Sequence, residues 1–190
     1  MSFLPENYAG VPKSNNRYLK FEEGDNRLRI LSSAITGWTQ WTEDKKPLRS
    51  RTQPEKLINP EKPAKHFWAF VVWCYKSNEI KVVEITQASI QNAIYDLHTD
   101  PSWGSPLGFD LNIKRVGKDM NNTEYSVIPT PPKPLHPEIA RLYSETKIDL
   151  EKLYTGGDPF SADTEIKQES VPVADNTITP NDIGLEKIPF

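Results

Sequence analysis

His66-Phe67-Trp68-Ala69-Phe70-Val71-Val72-Trp73-Cys74-Tyr75 decides how the rest of the chain is read. Nearly every residue in it is aromatic or β-branched, the composition that fits a pleated, half-buried surface. Lys76-Ser77-Asn78 turns the chain back, and Glu79-Ile80-Lys81-Val82-Val83-Glu84-Ile85-Thr86 completes a hairpin. Alternation places Trp68, Phe70, Val72 and Cys74 on one face of the first strand and Phe67, Ala69, Val71, Trp73 and Tyr75 on the other. Both faces are apolar, so each needs a cover or a ligand. The interior of a small barrel has room for modest side chains, which suits Ala69 and Val71, and Trp68 and Phe70 are therefore expected to point outward.

Upstream of this hairpin, residues 26–35 read as a strand in which Leu28 and Ile30 alternate with Arg27 and Arg29, placing both arginines on one face. Thr36-Gly37-Trp38-Thr39-Gln40-Trp41 continues it past a glycine bend. Residues 1–25 read as an irregular arm anchored by Tyr18, Leu19 and Phe21. Residues 42–64 form a long basic excursion punctuated by proline. Downstream, Ile90, Ala93, Ile94 and Leu97 recur at helical spacing between Gln87 and the stop at Asp100-Pro101. Residues 109–116 and 123–128 form a last hairpin, ended by the proline-rich stretch 129–134. A short helix is expected over 137–147, with another turn over 149–154, both packing back on the sheet.

Three strands, one helix and two strands is the element order of the OB-fold, a five-stranded Greek-key barrel. The expectation is thus a mainly β protein of that class, with a helix between strands 3 and 4, a short C-terminal helix and a disordered acidic tail. Its expected organisation is an arm over residues 1–25, a barrel domain over 26–156 and a flexible tail over 157–190.

Charge follows the same division. The chain of 190 residues carries a net charge of -3. Residues 157–190 hold seven acids against two lysines, which leaves residues 1–156 at +2. Residues 45–65 hold seven bases against Glu55 and Glu61. Such asymmetry suits a protein that meets phosphates with one part and another partner with its tail. No apolar run approaches the roughly 20 residues of a bilayer span, and Met1-Ser2-Phe3-Leu4-Pro5-Glu6 is not a signal pattern. The single Cys74 has no disulfide partner. A soluble protein of a reducing cytoplasm is expected, without membrane association.

The chemistry-bearing residues are aromatic and basic. A nucleic-acid single strand exposes base faces that stack on aromatic platforms whatever the sequence. Trp38, Trp41, Phe67, Trp68, Phe70, Trp73 and Tyr75 supply such platforms close together. Arg27, Arg29, Lys45, Lys46, Arg49, Arg51 and Lys65 supply cations for phosphates, which release counterions on binding. Catalysis and metal binding find little support. His66, His98, His136 and Cys74 lack the spacing of a zinc site, and no phosphate loop, nucleophile elbow or HExxH is present. Glu79-Ile80-Lys81 matches half of a metal-dependent nuclease motif, but the preceding strand offers no carboxylate between His66 and Ser77 to hold the cation. No catalytic residue, metal or cofactor is expected.

The closing residues Ile188-Pro189-Phe190, behind an acidic stretch, resemble the tip of bacterial single-stranded-DNA-binding proteins; here Glu186-Lys187 replaces the unbroken acidic run, and Asp158-Pro159-Phe160 reads as a degenerate second copy. The block from His66 to Trp73, with Glu84-Ile85-Thr86-Gln87 and Thr123-Glu124-Tyr125-Ser126-Val127, is similar to single-stranded-DNA-binding proteins of tailed phages over about residues 17–155. The resemblance implies an OB-fold, coating of single strands during phage DNA replication in the host cytoplasm, and recruitment of replication or repair proteins by Ile188, Pro189 and Phe190. Two alternatives stay open: an OB-like module that binds a host protein, and a binder of single-stranded RNA. Oligomeric state is not legible.

Overall fold

A computed structural model describes residues 17–117 and 122–161. The protein is mainly β. One sheet of eight strands runs in the order β1-β6-β5-β2-β7-β8, with β3 pairing β5 and β4; the path does not close on itself. The strands are β1 Tyr18–Leu19, β2 Gly24–Ile30, β3 Ile35–Trp41, β4 Pro47–Ser50, β5 Lys65–Cys74, β6 Glu79–Ile85, β7 Asp110–Val116 and β8 Glu124–Pro129. Helix α1 spans Ala88–Thr99 and α2 spans Pro137–Glu145, followed by a 3-10 segment at Leu150–Thr155.

β5 is the hub. Its first half pairs with β3 (Ile35 opposite Ala69, Trp38 opposite His66), its second half pairs with β2 (Leu28 opposite Cys74), and β6 runs along its other edge. The two apolar faces read from the sequence are each covered. Phe70 and Val72 join Leu28, Ile30, Val83, Ile85, Leu111 and Ile113 beneath Ile90 and Ile94 of α1. Phe67, Ala69 and Val71 join Val82 beneath Leu150 and Leu153 of the C-terminal segment. Gln91, buried on α1, donates from Nε2 to the carbonyls of Ile85 (2.8 Å) and His66 (3.2 Å), tying the helix across β5 and β6. Each fully buried large apolar side chain contributes on the order of 1.5–3 kcal/mol, so this two-sided strand carries much of the stability.

Three expectations change. The continuous strand over 26–35 is broken at residues 31–34, because Ser32 Oγ accepts the Val71 amide (2.9 Å) in place of a backbone carbonyl. β3 then restarts along β5. The irregular arm is not wholly irregular: Tyr18 and Leu19 pair in parallel with Val82 and Val83 of β6. Asn26, buried ahead of the strand core, donates to the carbonyls of Glu22 (2.8 Å), Gly24 (3.1 Å) and Ile113 (3.0 Å), which fixes the entry into β2. The basic excursion contains β4, which returns along β3 after a tight turn with Lys45 at φ 59°. Gly37 makes that pairing possible. A Cβ there would lie 2.3 Å from the Ser50 carbonyl oxygen and 3.1 Å from the Phe67 ring.

The first residues of the expected tail are also packed. Pro159 O accepts the Asp149 amide at 2.9 Å, and the Phe160 ring stands edge-on to Tyr18 with centroids 6.4 Å apart. The Arg17 guanidinium lies 5.0 Å over the Phe160 ring and 3.9 Å from Asp158. Asp158-Pro159-Phe160 therefore closes the C-terminal segment onto the start of the sheet. Ile188, Pro189 and Phe190 lie outside the described residues, as does most of the arm.

Candidate nucleic-acid interface

Asp110 opens β7 directly opposite Arg29 of β2. Its buried carboxylate accepts from Arg27 (Nε 3.1 Å, Nη2 2.7 Å), from Arg29 Nη1 (3.3 Å) and from the Tyr75 hydroxyl (3.0 Å), with Lys133 Nζ at 2.9 Å. Burial pushes this carboxyl up, but the hydrogen bonds from Lys133, Arg27 and Tyr75 outweigh burial and hold it below its ordinary value. One negative charge thus anchors three positive ones, and the cluster keeps an excess of positive charge.

The cluster presents two of its cations to solvent. The side chains of Arg27 and Lys133 are 48% and 45% exposed. The Arg27 guanidinium lies 4.7 Å from the Tyr75 ring centroid and Lys133 Nζ lies 5.8 Å from it. Burial, then the neighbouring Asp110 carboxylate, raises the Tyr75 hydroxyl above its ordinary range, so it remains a neutral donor at neutral pH. Lys114 is exposed further along the same face of β7, with Asn112 between, its Nδ2 donating to Asp25 (3.0 Å). Arg29 has a different role from the one expected. At 3% exposure, it donates to Asp110 and to the Lys133 carbonyl (2.9 Å), so it orders the cluster and cannot reach a phosphate in this conformation.

The basic excursion divides likewise. Lys45 and Lys46 are exposed on the β3–β4 turn beside Trp41, and Lys65 is exposed at the start of β5. Arg49 is committed inward: Nε (2.9 Å) and Nη2 (2.6 Å) hold Glu84, and its guanidinium lies 6.0 Å over Phe67. Arg51 pairs with Glu151 and lies 4.4 Å over Tyr154, whose hydroxyl donates to the Thr36 carbonyl (2.7 Å). These two arginines sit where the sheet meets the C-terminal segment.

The expected outward pair is corrected by the packing. Phe70, 2% exposed, lies in the core beneath α1. Trp68 is half-buried on that same face, and Trp38 is half-buried with its ring edge-on to His66, centroids 5.4 Å apart. Trp73 is buried. The physical reason is that α1 covers the even-numbered face while the C-terminal segment covers the odd-numbered one, so neither face of β5 is an open platform. Among the aromatic residues expected to meet a ligand, solvent reaches Trp41, Tyr75 and the margins of Trp38 and Trp68.

Sequence reading missed Asp110 and Lys133. Lys133 hides in the proline-rich stretch taken only as a strand terminator, and nothing local marks it as the neighbour of Arg29. Asp110 carried a signal: an acid that opens an otherwise apolar and basic strand is the natural partner for the two arginines.

Among the described residues there is no cluster of three or more His, Cys, Asp or Glu side chains that could hold a metal ion, and no helix is long and apolar enough to cross a membrane. No family model matches the chain, and no solved structure matches it. A protein of Escherichia phage T5 named "Probable ssDNA-binding protein" is 24% identical to it, in an alignment covering 95% of this chain and 76% of that protein. The chain is similar to that phage protein along nearly its whole length.

Proposed function

We propose that this protein binds single-stranded DNA without sequence preference, in phage DNA replication, recombination or repair in the host cytoplasm. The observation that carries the reading is the Asp110 cluster, which holds Arg27 and Lys133 half-exposed over the Tyr75 ring. A buried acid that fixes cations beside an aromatic ring prepares a surface for phosphate and base together, with little ordering left to do on binding. The phage relative, named for single-stranded DNA, supports it. Exposed Lys45 and Lys46 beside Trp41, with exposed Lys65 at the start of β5, extend the same chemistry.

Further support comes from the strand order. β2 and β3 serve as two halves of one bent first strand, followed by β5, β6, α1, β7 and β8, which is the OB-fold sequence of elements. The first half pairs with β5 and β7 and the second with β5, as a bent OB-fold first strand would. The acidic residues 162–190, with Ile188-Pro189-Phe190, act in this proposal as the segment that recruits replication or repair proteins.

Titrating oligo-dT into the protein while following tryptophan fluorescence tests the proposal. Quenching that fades as salt rises is the expected result. An unchanged spectrum at low salt, with a protein ligand captured instead, would favour the interaction-module reading, and equal or stronger competition by a matched RNA would move the ligand to RNA.

A further inference from the structure

A cleft of about 340 Å³ opens on the α1 side of the sheet, away from the Asp110 cluster. Trp68 and Phe70 of β5 line one side, Ile94, Tyr95 and His98 of α1 another, with Ser32, Ser33, Ala34, Thr36 and Leu107 among the rest of the lining. Resting on the single-stranded-DNA reading, we propose that this cleft is a nucleobase subsite: it takes one unstacked base of the bound strand between Trp68 and Tyr95.

The chemistry of the lining selects that ligand class. No lysine, arginine, aspartate or glutamate lines the cleft, so it offers nothing to a phosphate and suits an uncharged ring. Its volume lies at the small end of ligand pockets, in keeping with a single base and sugar rather than a peptide helix. Ser33, Ser105 and Thr36 place hydroxyls at its edge, where base-edge donors and acceptors would lie.

The architecture also leaves the cleft open by design of the backbone. The break between β2 and β3 at residues 31–34 falls opposite Phe70 and Val71, between the Ile30–Val72 and Ile35–Ala69 pairs, and Ser32 holds it through the Val71 amide, so the irregular backbone of Ser32, Ser33 and Ala34 borders the cleft. Tyr95, the residue after buried Ile94, remains 56% exposed. An aromatic side chain that exposed beside an apolar cleft lacks the cover that aromatic rings ordinarily find in cores. Trp38 and His66 continue an aromatic track from Trp68, since His66 stands two residues before it on the same face of β5, about 6.6 Å away along the strand. A base beside the one in the cleft therefore meets a second aromatic edge.

Two variants act on the cleft without touching either core cluster: Tyr95→Ala removes one wall, and Ala34→Phe fills the space from its rim. Binding of oligo-dT and of an abasic oligomer of equal length, with the same phosphates, is measured by fluorescence anisotropy for the full chain and both variants. The proposal expects each variant to lose about tenfold in affinity for oligo-dT, the scale of one base stack, and to bind the abasic oligomer like wild type. Unchanged oligo-dT affinity, or an equal loss on both oligomers, would overturn it while the DNA reading stands. Failure of the wild-type chain to bind oligo-dT would overturn both.

Discussion

Arg29 and Lys133 hold each other in place around one acid: the Arg29 guanidinium donates to the Lys133 carbonyl at 2.9 Å, while the Lys133 ammonium lies 2.9 Å from Asp110, which Arg29 also contacts. The backbone of the proline-rich stretch is thereby fastened to β2. Lys133 N also donates to the Gly108 carbonyl at 3.0 Å. A lysine in an irregular segment is in this way positioned as firmly as one on a strand, and the candidate phosphate contact inherits that order.

The acid at the centre should dominate stability. Asp110→Asn leaves Arg29 buried with its charge uncompensated, an arrangement that costs about 3–5 kcal/mol. Urea unfolding at neutral pH measures it; a loss near zero would show that the cluster does not order this part of the sheet.

Acid should report on the same group. The folded-state value of Asp110 is depressed below the ordinary 3.8, so its contribution is complete above that value and is lost as pH falls below it toward the folded-state value. Wild-type stability should therefore drop through this acid window more steeply than that of Asp110→Asn. Parallel curves for the two proteins would contradict the assignment.

Removing one solvent-facing cation should weaken binding without harming the fold. Lys133→Ala leaves Asp110 with both arginines and Tyr75, so its unfolding midpoint should stay close to wild type. The slope of log affinity against log salt should fall in magnitude by about 1, the signature of one phosphate contact. An unchanged slope would place the strand elsewhere.

Gly37→Ala tests the close approach of β3, β4 and Phe67. With the added methyl 2.3 Å from the Ser50 carbonyl, β4 has to move, at a cost of about 1–3 kcal/mol. Hydrogen exchange should speed up first at the β4 amides that pair with β3. Protection equal to wild type would show that the strand adjusts freely.

Much of the sheet was legible because its signals are local. The aromatic run gave β5, the turn at residues 76–78 gave β6, and helical spacing gave α1 to within two residues. Alternation at Arg27 and Arg29 correctly set both on one face. What was not legible depended on contacts distant in sequence. Whether Trp68 and Phe70 face a ligand or a core is decided by α1, as Leu150 and Leu153 decide it for Phe67, Ala69 and Val71, and the period of β5 encodes neither. Arg49 and Arg51 looked like loop cations until Glu84 and Glu151 were brought beside them. The break at residues 31–34 turns on one serine hydroxyl taking a backbone partner, a choice that composition leaves open.

The account stands most directly on how affinity for a single strand depends on salt. Fluorescence anisotropy with labelled oligo-dT, repeated from about 50 to about 200 mM salt, should give a straight line of log affinity against log salt with negative slope, shallower for Lys133→Ala and for Arg27→Ala. Binding that ignores salt, or no binding at the lowest salt, would contradict the assignment of the Asp110 cluster as a single-strand surface.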